Sequence, residues 1–270
     1  MKKTVFITST GLGKLAALHF ANAGWNVAAT LRSPEKEIEL GKHPNIRLFK
    51  LDVTDAQQTE AAVAAAVEAF GTIDVVVNNA GFGSYGALEL AEESTIDWQY
   101  AVNVRGPINV IRKFLPHFRS KGGGMFINIS SFIGVTSAIP VGSLYTMSKF
   151  ALEGLTEALY YELEPLNIAL RLVEQGGSRD NNFQNNIIWN TNPAITAYDN
   201  ITSKVKTLFN NLDPKALDDP QDIVNTIYAL ATGESKAFRT LVGDAGKNLV
   251  AMRRELPIEE YLEKIAANFR

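Results

Sequence analysis

A doubly wound α/β fold, built on a parallel sheet of about seven strands with helices on both faces, is what this 270-residue sequence predicts. Three observations carry that expectation. Short apolar runs alternate with stretches of helical period through the first two thirds of the chain, which is the rhythm of βα units. No Pro/Gly/Ser linker, charge block or internal repeat divides the chain, so residues 1–270 are expected to form one domain. Because parallel neighbours are joined by right-handed crossovers, the intervening helices must cover both faces of the sheet.

Taken in order, strands are expected at Thr4 to Thr8, Asn26 to Leu31, Arg47 to Leu51, Ile73 to Asn78, Met125 to Ile129, Ala169 to Val173 and Arg239 to Val242. Each is a mainly apolar run of the length a buried strand needs. The first helix runs from about Leu12 and stops at Gly24; an alanine-rich one, Ala56 to Phe70, stops at Gly71. From Asn181 to Asn192 the rhythm breaks: six residues are Asn, with Phe183, Ile187, Ile188 and Trp189 among them. A polar surface loop is one reading. An ordered substrate lid spanning about 178–215 is the sharper one, since these apolar residues need something to cover. The tail from Glu255, with Ile258, Tyr261 and Leu262 at helical spacing, is expected simply to pack, with closure over a cleft or a subunit contact as alternatives.

Composition removes several classes of function. Apolar residues at 46% and charged residues at 20% are those of a globular chain with a sizeable core. Lys plus Arg number 26 against 29 for Asp plus Glu, so no basic excess exists to neutralise a nucleic-acid backbone. The absence of cysteine excludes disulfides, a thiolate nucleophile and Cys-ligated metal, and a cytoplasmic protein is expected. His19, His43 and His117 stand far apart, which leaves neither a zinc site nor a Ser-His-Asp mechanism much to build on, and no metal is expected. The apolar run Val5 to Ile7 ends too early for a signal peptide, and no run is long enough to span a bilayer.

The chemistry lies at the ends of the strands. After the first comes Thr8-Ser9-Thr10-Gly11-Leu12-Gly13, opening into a helix whose unpaired N–H groups can hold a phosphate, although a Gly pair there could equally be a plain tight turn. Where a Rossmann unit for NAD would end its second strand on an acid, this chain reads Thr30-Leu31-Arg32-Ser33. Arg32 instead offers a guanidinium fork suited to the 2′-phosphate of NADP. Further on stand Leu51-Asp52-Val53, Asn78-Asn79-Ala80-Gly81, Asn103, Ser131 and Tyr145-Thr146-Met147-Ser148-Lys149.

In these motifs and their order the chain resembles the short-chain dehydrogenase/reductase family, in its compact single-domain branch, over roughly Lys3 to Gly246. The resemblance implies that Tyr145 is the acid in carbonyl reduction and the base in alcohol oxidation, and that Lys149 also bonds the nicotinamide ribose. It implies that Ser131 holds the substrate oxygen, that Asn103 anchors a water chain refilling the proton, and that Asp52 and Val53 contact the adenine. By the same resemblance Thr8, Thr10, Gly11, Leu12, Gly13, Asn79, Ala80, Gly81 and Gly176 surround the cofactor, and the helix carrying Tyr145 builds a homodimer or homotetramer interface. Asp52 could also serve as a turn or N-cap residue. Tyr145 and Lys149, four apart on a helix, share a face. A cation about 4 Å from a phenol whose pKa is ordinarily near 10 favours phenolate by roughly 4 kcal/mol at an effective dielectric of about 20, so a lowered Tyr145 pKa is expected.

Three departures from the family fall around the cofactor and active-site cleft, one of them a Ser131 to Tyr145 interval one residue longer than is common. The family's first loop spaces Thr-Gly from Gly-x-Gly by three residues, whereas here Thr8 is followed by only Ser9 and Thr10 before Gly11. After the sixth strand, where Pro-Gly is usual, the chain reads Glu174-Gln175-Gly176-Gly177, so Gln175 replaces the proline and no Thr follows at the usual place. The expected function is an NADP(H)-dependent oxidoreductase moving hydride between nicotinamide and a secondary alcohol or ketone. Phe82, Tyr85, Ile139, Phe183, Ile188 and Trp189 suggest a mainly apolar pocket for a small-molecule substrate. The alternative is a nucleotide-binding or scaffold protein on the same fold whose altered loops have abolished turnover.

Overall fold

The structure is a computed structural model and describes residues 2–8, 11–179, 183–213, 215 and 217–270. The elements run β1 (Thr4–Thr8), α1 (Leu12–Asn22), β2 (Asn26–Leu31), α2 (Ile38–Gly41), β3 (Ile46–Lys50), α3 (Ala56–Phe70), β4 (Val75–Asn78) and β5 (Ser84–Tyr85). Then come α4 (Glu93–Tyr100), α5 (Gly106–Lys121), β6 (Gly124–Ser131), α6 (Ser143–Leu163), β7 (Ile168–Gln175) and β8 (Ile188–Trp189). The chain closes with α7 (Asp199–Asn210), α8 (Pro220–Thr232), β9 (Arg239–Leu241), α9 (Asp244–Glu255) and α10 (Ile258–Ala267).

Seven strands form one parallel sheet in the order β3-β2-β1-β4-β6-β7-β9. The strand order reverses between β1 and β4, and a crevice for a ligand opens at the carboxyl ends of strands on either side of such a reversal. Both faces are dry because alternate residues of each strand serve opposite layers. Val5 and Ile7 of β1 pack with Ala16, Phe20 and Ile227 of α1 and α8, while Phe6 between them packs with Val63, Phe114 and Phe118 of α3 and α5.

Local chemistry accounts for the boundaries. Asp55 caps α3 by accepting the N–H groups of Gln57 and Gln58 at 2.8 and 3.0 Å, and Gly71 ends the helix at φ 76°. The fourth strand starts at Val75 rather than Ile73, since the Ile73 N–H is drawn to His117 Nε2 at 3.1 Å. The third sits one residue earlier than expected, the last ends at Leu241, and the first helix ends at Asn22.

Two differences matter for the site. The fifth and sixth strands of the main sheet in chain order, β6 and β7, continue past their apolar runs, so that Ser130 pairs with Glu174 and Ser131 with Gln175. Ladder hydrogen bonds need only backbone, so polar side chains can be carried this far once both strands are held. A second ribbon, β5 with β8, has no periodic signal because each strand is two residues long. It draws Ile188 and Trp189 of the asparagine-rich segment onto Ser84 and Tyr85, fastened by Asn190 Nδ2 to Ser84 Oγ at 2.9 Å.

Candidate active site

The two conspicuous cavities are neighbours at the carboxyl end of the sheet. The first, about 510 Å³, is lined by Gly11, Leu12, Arg32, Asp52, Val53 and the Asn79 to Gly81 turn, together with Phe82 and Trp98. The second, about 820 Å³, is lined by Ser131 and Tyr145 at one end and by apolar side chains of α7 and α10 farther out. Gln175 and Phe183 border both.

Thr8, at the end of β1, is buried and holds the turn after β4. Its Oγ1 accepts the N–H groups of Asn79 and Ala80 at 2.9 and 3.0 Å, while its carbonyl accepts Asn79 Nδ2 at 3.1 Å. Gly13 permits this contact, because a Cβ there would lie 2.8 Å from Asn79 Nδ2. Among the described residues no side chain caps the first turn of α1. Thr10 lies outside the described residues, as does the segment 180–182 of the expected lid. Arg32 is exposed at the rim of the first cavity and has no ion-pair partner among the described residues. Asp52 lines the first cavity and also serves as a turn residue, accepting Thr54 N and Oγ1 at 3.0 and 2.7 Å. Gly176 sits on the wall of the second cavity instead, with its N–H donated to Asp218 Oδ2 at 2.7 Å.

The catalytic candidates converge from three elements. Asn103 lies in a π-helical turn, Ala101–Arg105, between α4 and α5. Its Oδ1 accepts Phe82 N at 3.1 Å, and its Nδ2 donates to Phe82 O at 2.9 Å and to Ser148 Oγ at 3.0 Å. The side chain is thus spent on protein partners that place the Phe82 loop against α6. Ser148 and Gln99 had been passed over in the sequence, although Ser148 stands within the Tyr145 to Lys149 motif. Gln99, fully buried, donates to Phe82 O and accepts Ser84 N, and nothing in the local pattern marks it.

Tyr145 is buried, hydrogen-bonded to Ser131, and flanked by Tyr85 and Phe183 with ring centroids 5.8 and 5.4 Å away. Lys149, one turn along, is buried too; its Nζ donates to Ile129 O at 2.9 Å and lies 5.8 Å from the Tyr145 ring centroid. The expected lowering of the Tyr145 pKa is not what this geometry does. Burial pushes the phenol well above its ordinary value, with the Ser131 hydrogen bond opposing, and burial brings Lys149 down to about 8, with Glu153 opposing. Desolvation outweighs attraction when the cation is itself stripped of water.

The apolar pocket differs in membership from its expected list. Tyr85, Ile139 and Phe183 line the second cavity with Ile187. Phe82 and Ile188 line the first, and Trp189 stacks behind Tyr85 at 5.8 Å. The α10 tail does more than pack. Tyr261 is fully buried, and Ile265 and Phe269 form part of the second cavity's wall. Among the described residues there is no cluster of metal-ligating side chains and no helix long and apolar enough to cross a membrane.

A parallel sheet reversing its order beside Ser131, Tyr145 and Lys149 is the arrangement of an oxidoreductase of the short-chain type, and known proteins agree. The short chain dehydrogenase family pattern matches residues 3–189. An uncharacterized oxidoreductase of Schizosaccharomyces pombe is 32% identical over 234 residues, spanning 86% of this chain and 96% of that one. The crystal structure of a short-chain dehydrogenase from Streptomyces avermitilis superposes with a TM-score of 0.81 at 28% identity, covering 98% of this chain and 95% of that one. ElxO, solved with NADP bound, superposes at 0.73 with 28% identity over 89% of this chain and 96% of its own. The chain belongs to the short-chain dehydrogenase family and is an oxidoreductase.

Proposed function

We propose that the protein is an NADP(H)-dependent reductase of apolar ketones, with Ser131, Tyr145, Lys149 and Asn103 as its working residues and a lid over 178–215 on one domain of 270 residues. The observation that carries this reading is the hydrogen-bonded Ser131–Tyr145 pair in the wall of the second cavity, with Lys149 buried one helical turn away.

The first cavity suits NADP(H). Gly11 and Leu12 present the uncapped start of α1 to a pyrophosphate, and Arg32 and Ser33 stand where a 2′-phosphate would fall, with Leu31 supplying no competing acid. Asp52 and Val53 form the wall expected for the adenine, and the Asn79 to Gly81 turn the floor. When bound, the nicotinamide supplies or accepts the hydride.

The chain's own residues do the rest. Ser131 holds the substrate oxygen by donating a hydrogen bond as negative charge develops there. Tyr145, kept protonated by its burial, gives its hydroxyl proton to that oxygen, which favours reduction over oxidation near neutral pH. Lys149 places positive charge close to both the phenol and the cofactor ribose, and Asn103 fixes the loop and helix that hold them, with the water chain starting from its turn. Phe183 and Ile187 cover the reacting face and exclude water. Met147, Phe150 and Tyr161 on the outer side of α6, 44%, 45% and 75% exposed, are apolar surface that a homodimer or homotetramer would cover.

Fluorescence titration with NADPH followed by an assay on a panel of apolar ketones tests the reading. Tight binding with oxidation of NADPH by at least one ketone is expected. Binding without turnover of any of them would favour a scaffold role.

A further inference from the structure

Gln175 occupies the place at which the family carries proline, and the fold gives its side chain an address that proline could not use. It is the last residue of β7, paired in register with Ser131 of β6. Directly opposed residues on neighbouring strands, about 4.8 Å apart, project to the same side of a sheet. Its side chain therefore leaves the sheet on the same face as Ser131, and Gln175 borders both cavities. No hydrogen bond involves this carboxamide among the described residues, and its Oε1 is buried without a partner.

An unpartnered amide oxygen is costly to keep buried in a cavity wall that also holds Tyr85, Ile133, Ile139 and Phe183. Its polar neighbours are engaged: Ser131 and Tyr145 bond each other, and the Gly176 N–H is taken by Asp218. The terminal torsion of a glutamine is soft, so the amide can turn either its acceptor or its N–H groups into the cavity. A hydroxyl answers both.

We infer that Gln175 is a specificity residue which hydrogen-bonds a hydroxyl standing β to the reacting carbonyl, so that the preferred substrates are apolar β-hydroxyketones, and 1,3-diols in the reverse direction. This rests on the proposed reductase reading. The one-strand offset between Ser131 and Gln175 sets the β spacing: two oxygens on carbons 1 and 3 can be held side by side, one by each strand end. The hydride still goes to the carbonyl carbon and the Tyr145 proton to its oxygen; the β-hydroxyl is unchanged.

The test compares 1-hydroxyoctan-3-one with nonan-4-one, in which a methyl group replaces the hydroxyl. The wild-type protein should favour the hydroxyketone in kcat/KM by about tenfold, the ratio one good hydrogen bond supports. Gln175→Met, of similar volume and without polar hydrogens, should bring the ratio close to one by slowing the hydroxyketone alone, with NADPH affinity unchanged. An unchanged ratio in the variant overturns the assignment. So does an equal fall for both ketones with weakened NADPH binding, which would place Gln175 on the cofactor instead. Calorimetric titration of octane-1,3-diol and nonan-4-ol into the NADPH-saturated protein repeats the comparison without turnover. A Gln175-dependent preference for the diol in a protein that reduces neither ketone would support this inference while overturning the reductase reading. Failure of both alcohols to bind would overturn the inference.

Discussion

Asn103 Nδ2 donates to the Ser148 hydroxyl at 3.0 Å, and that hydroxyl in turn donates to the Tyr145 backbone carbonyl at 2.7 Å. The π-turn between α4 and α5 is thereby tied to the first turn of the helix that carries the reacting phenol. Asn103 is 1% exposed, so its removal would strand Phe82 N, Phe82 O and the Ser148 hydroxyl in a dry interior.

Asn103→Ala should therefore lower stability by about 2 to 4 kcal/mol, since each buried group left unpaired costs roughly 1 to 3 kcal/mol and some will find other partners. Urea denaturation measures this. A loss below about 0.5 kcal/mol would show that the Phe82 loop is held by Gln99 alone.

Tyr145→Phe separates chemistry from binding. Ketone reduction should fall by about 10² to 10⁴, the usual contribution of a positioned proton donor. NADPH affinity should stay close to wild type, because the ring contacts with Tyr85 and Phe183 do not need the hydroxyl. Steady-state rates and a fluorescence titration on the same preparation check both halves, and retention of most of the rate would remove Tyr145 from the mechanism.

Reduction should weaken with alkali. Lys149 is held at about 8, so its positive charge is present below that pH and lost as pH rises through it. Burial keeps the Tyr145 phenol protonated well beyond this range, so a falling limb near 8 in kcat/KM belongs to the lysine. Lys149→Met should abolish the limb along with most of the activity. A flat profile to about pH 10, close to the ordinary lysine value, would contradict this assignment.

Cofactor choice turns on the rim of the first cavity. Arg32 to a 2′-phosphate is a charge-assisted contact worth roughly 1.5 to 3 kcal/mol, so NADPH should bind about ten- to a hundredfold more tightly than NADH. Leu31→Asp should reverse the order by repelling the phosphate and accepting ribose hydroxyls. Equal dissociation constants for the two cofactors in the wild-type protein would sink the claim.

Stability itself should depend on pH through Glu174. Burial, reinforced by Glu153, pushes its carboxyl up to about 7 from an ordinary 4.5, with Arg239 Nε 3.4 Å away opposing. Between those two values the folded protein holds a proton that the unfolded chain releases, so stability falls as pH rises from 4.5 to 7. The change is on the order of 3 kcal/mol at most. Glu174→Gln, which needs no proton to stay neutral, should flatten this slope, and thermal melts across the window would detect it.

Much of this was legible along the chain because it rests on short-range pattern. The βα rhythm and the Gly71 stop depend on neighbours a few residues apart, and helical spacing alone aligns Tyr145 with Lys149. Membership of the family also followed from residues quoted in order, and residues 3–189 match it. The β5–β8 ribbon did not, since two-residue strands carry no period and form only when residues about a hundred positions apart meet. Nor did the hidden supports, Gln99 and Ser148, which act on backbone groups of other elements.

Sequence by itself determined the order of the elements, the residue types available to the site and the absence of thiol chemistry, since these need only composition and local period. Tertiary structure alone decided which way the Tyr145 and Lys149 pKa values move. That depends on how completely water is removed from both, and the removal is done by Tyr85, Phe183 and Ile129, which come from three separate parts of the chain. It also decided that Gln175 stands beside Ser131, because the register of two strands joined through a whole helix is set by the packing of that helix on the sheet and by no feature of either strand.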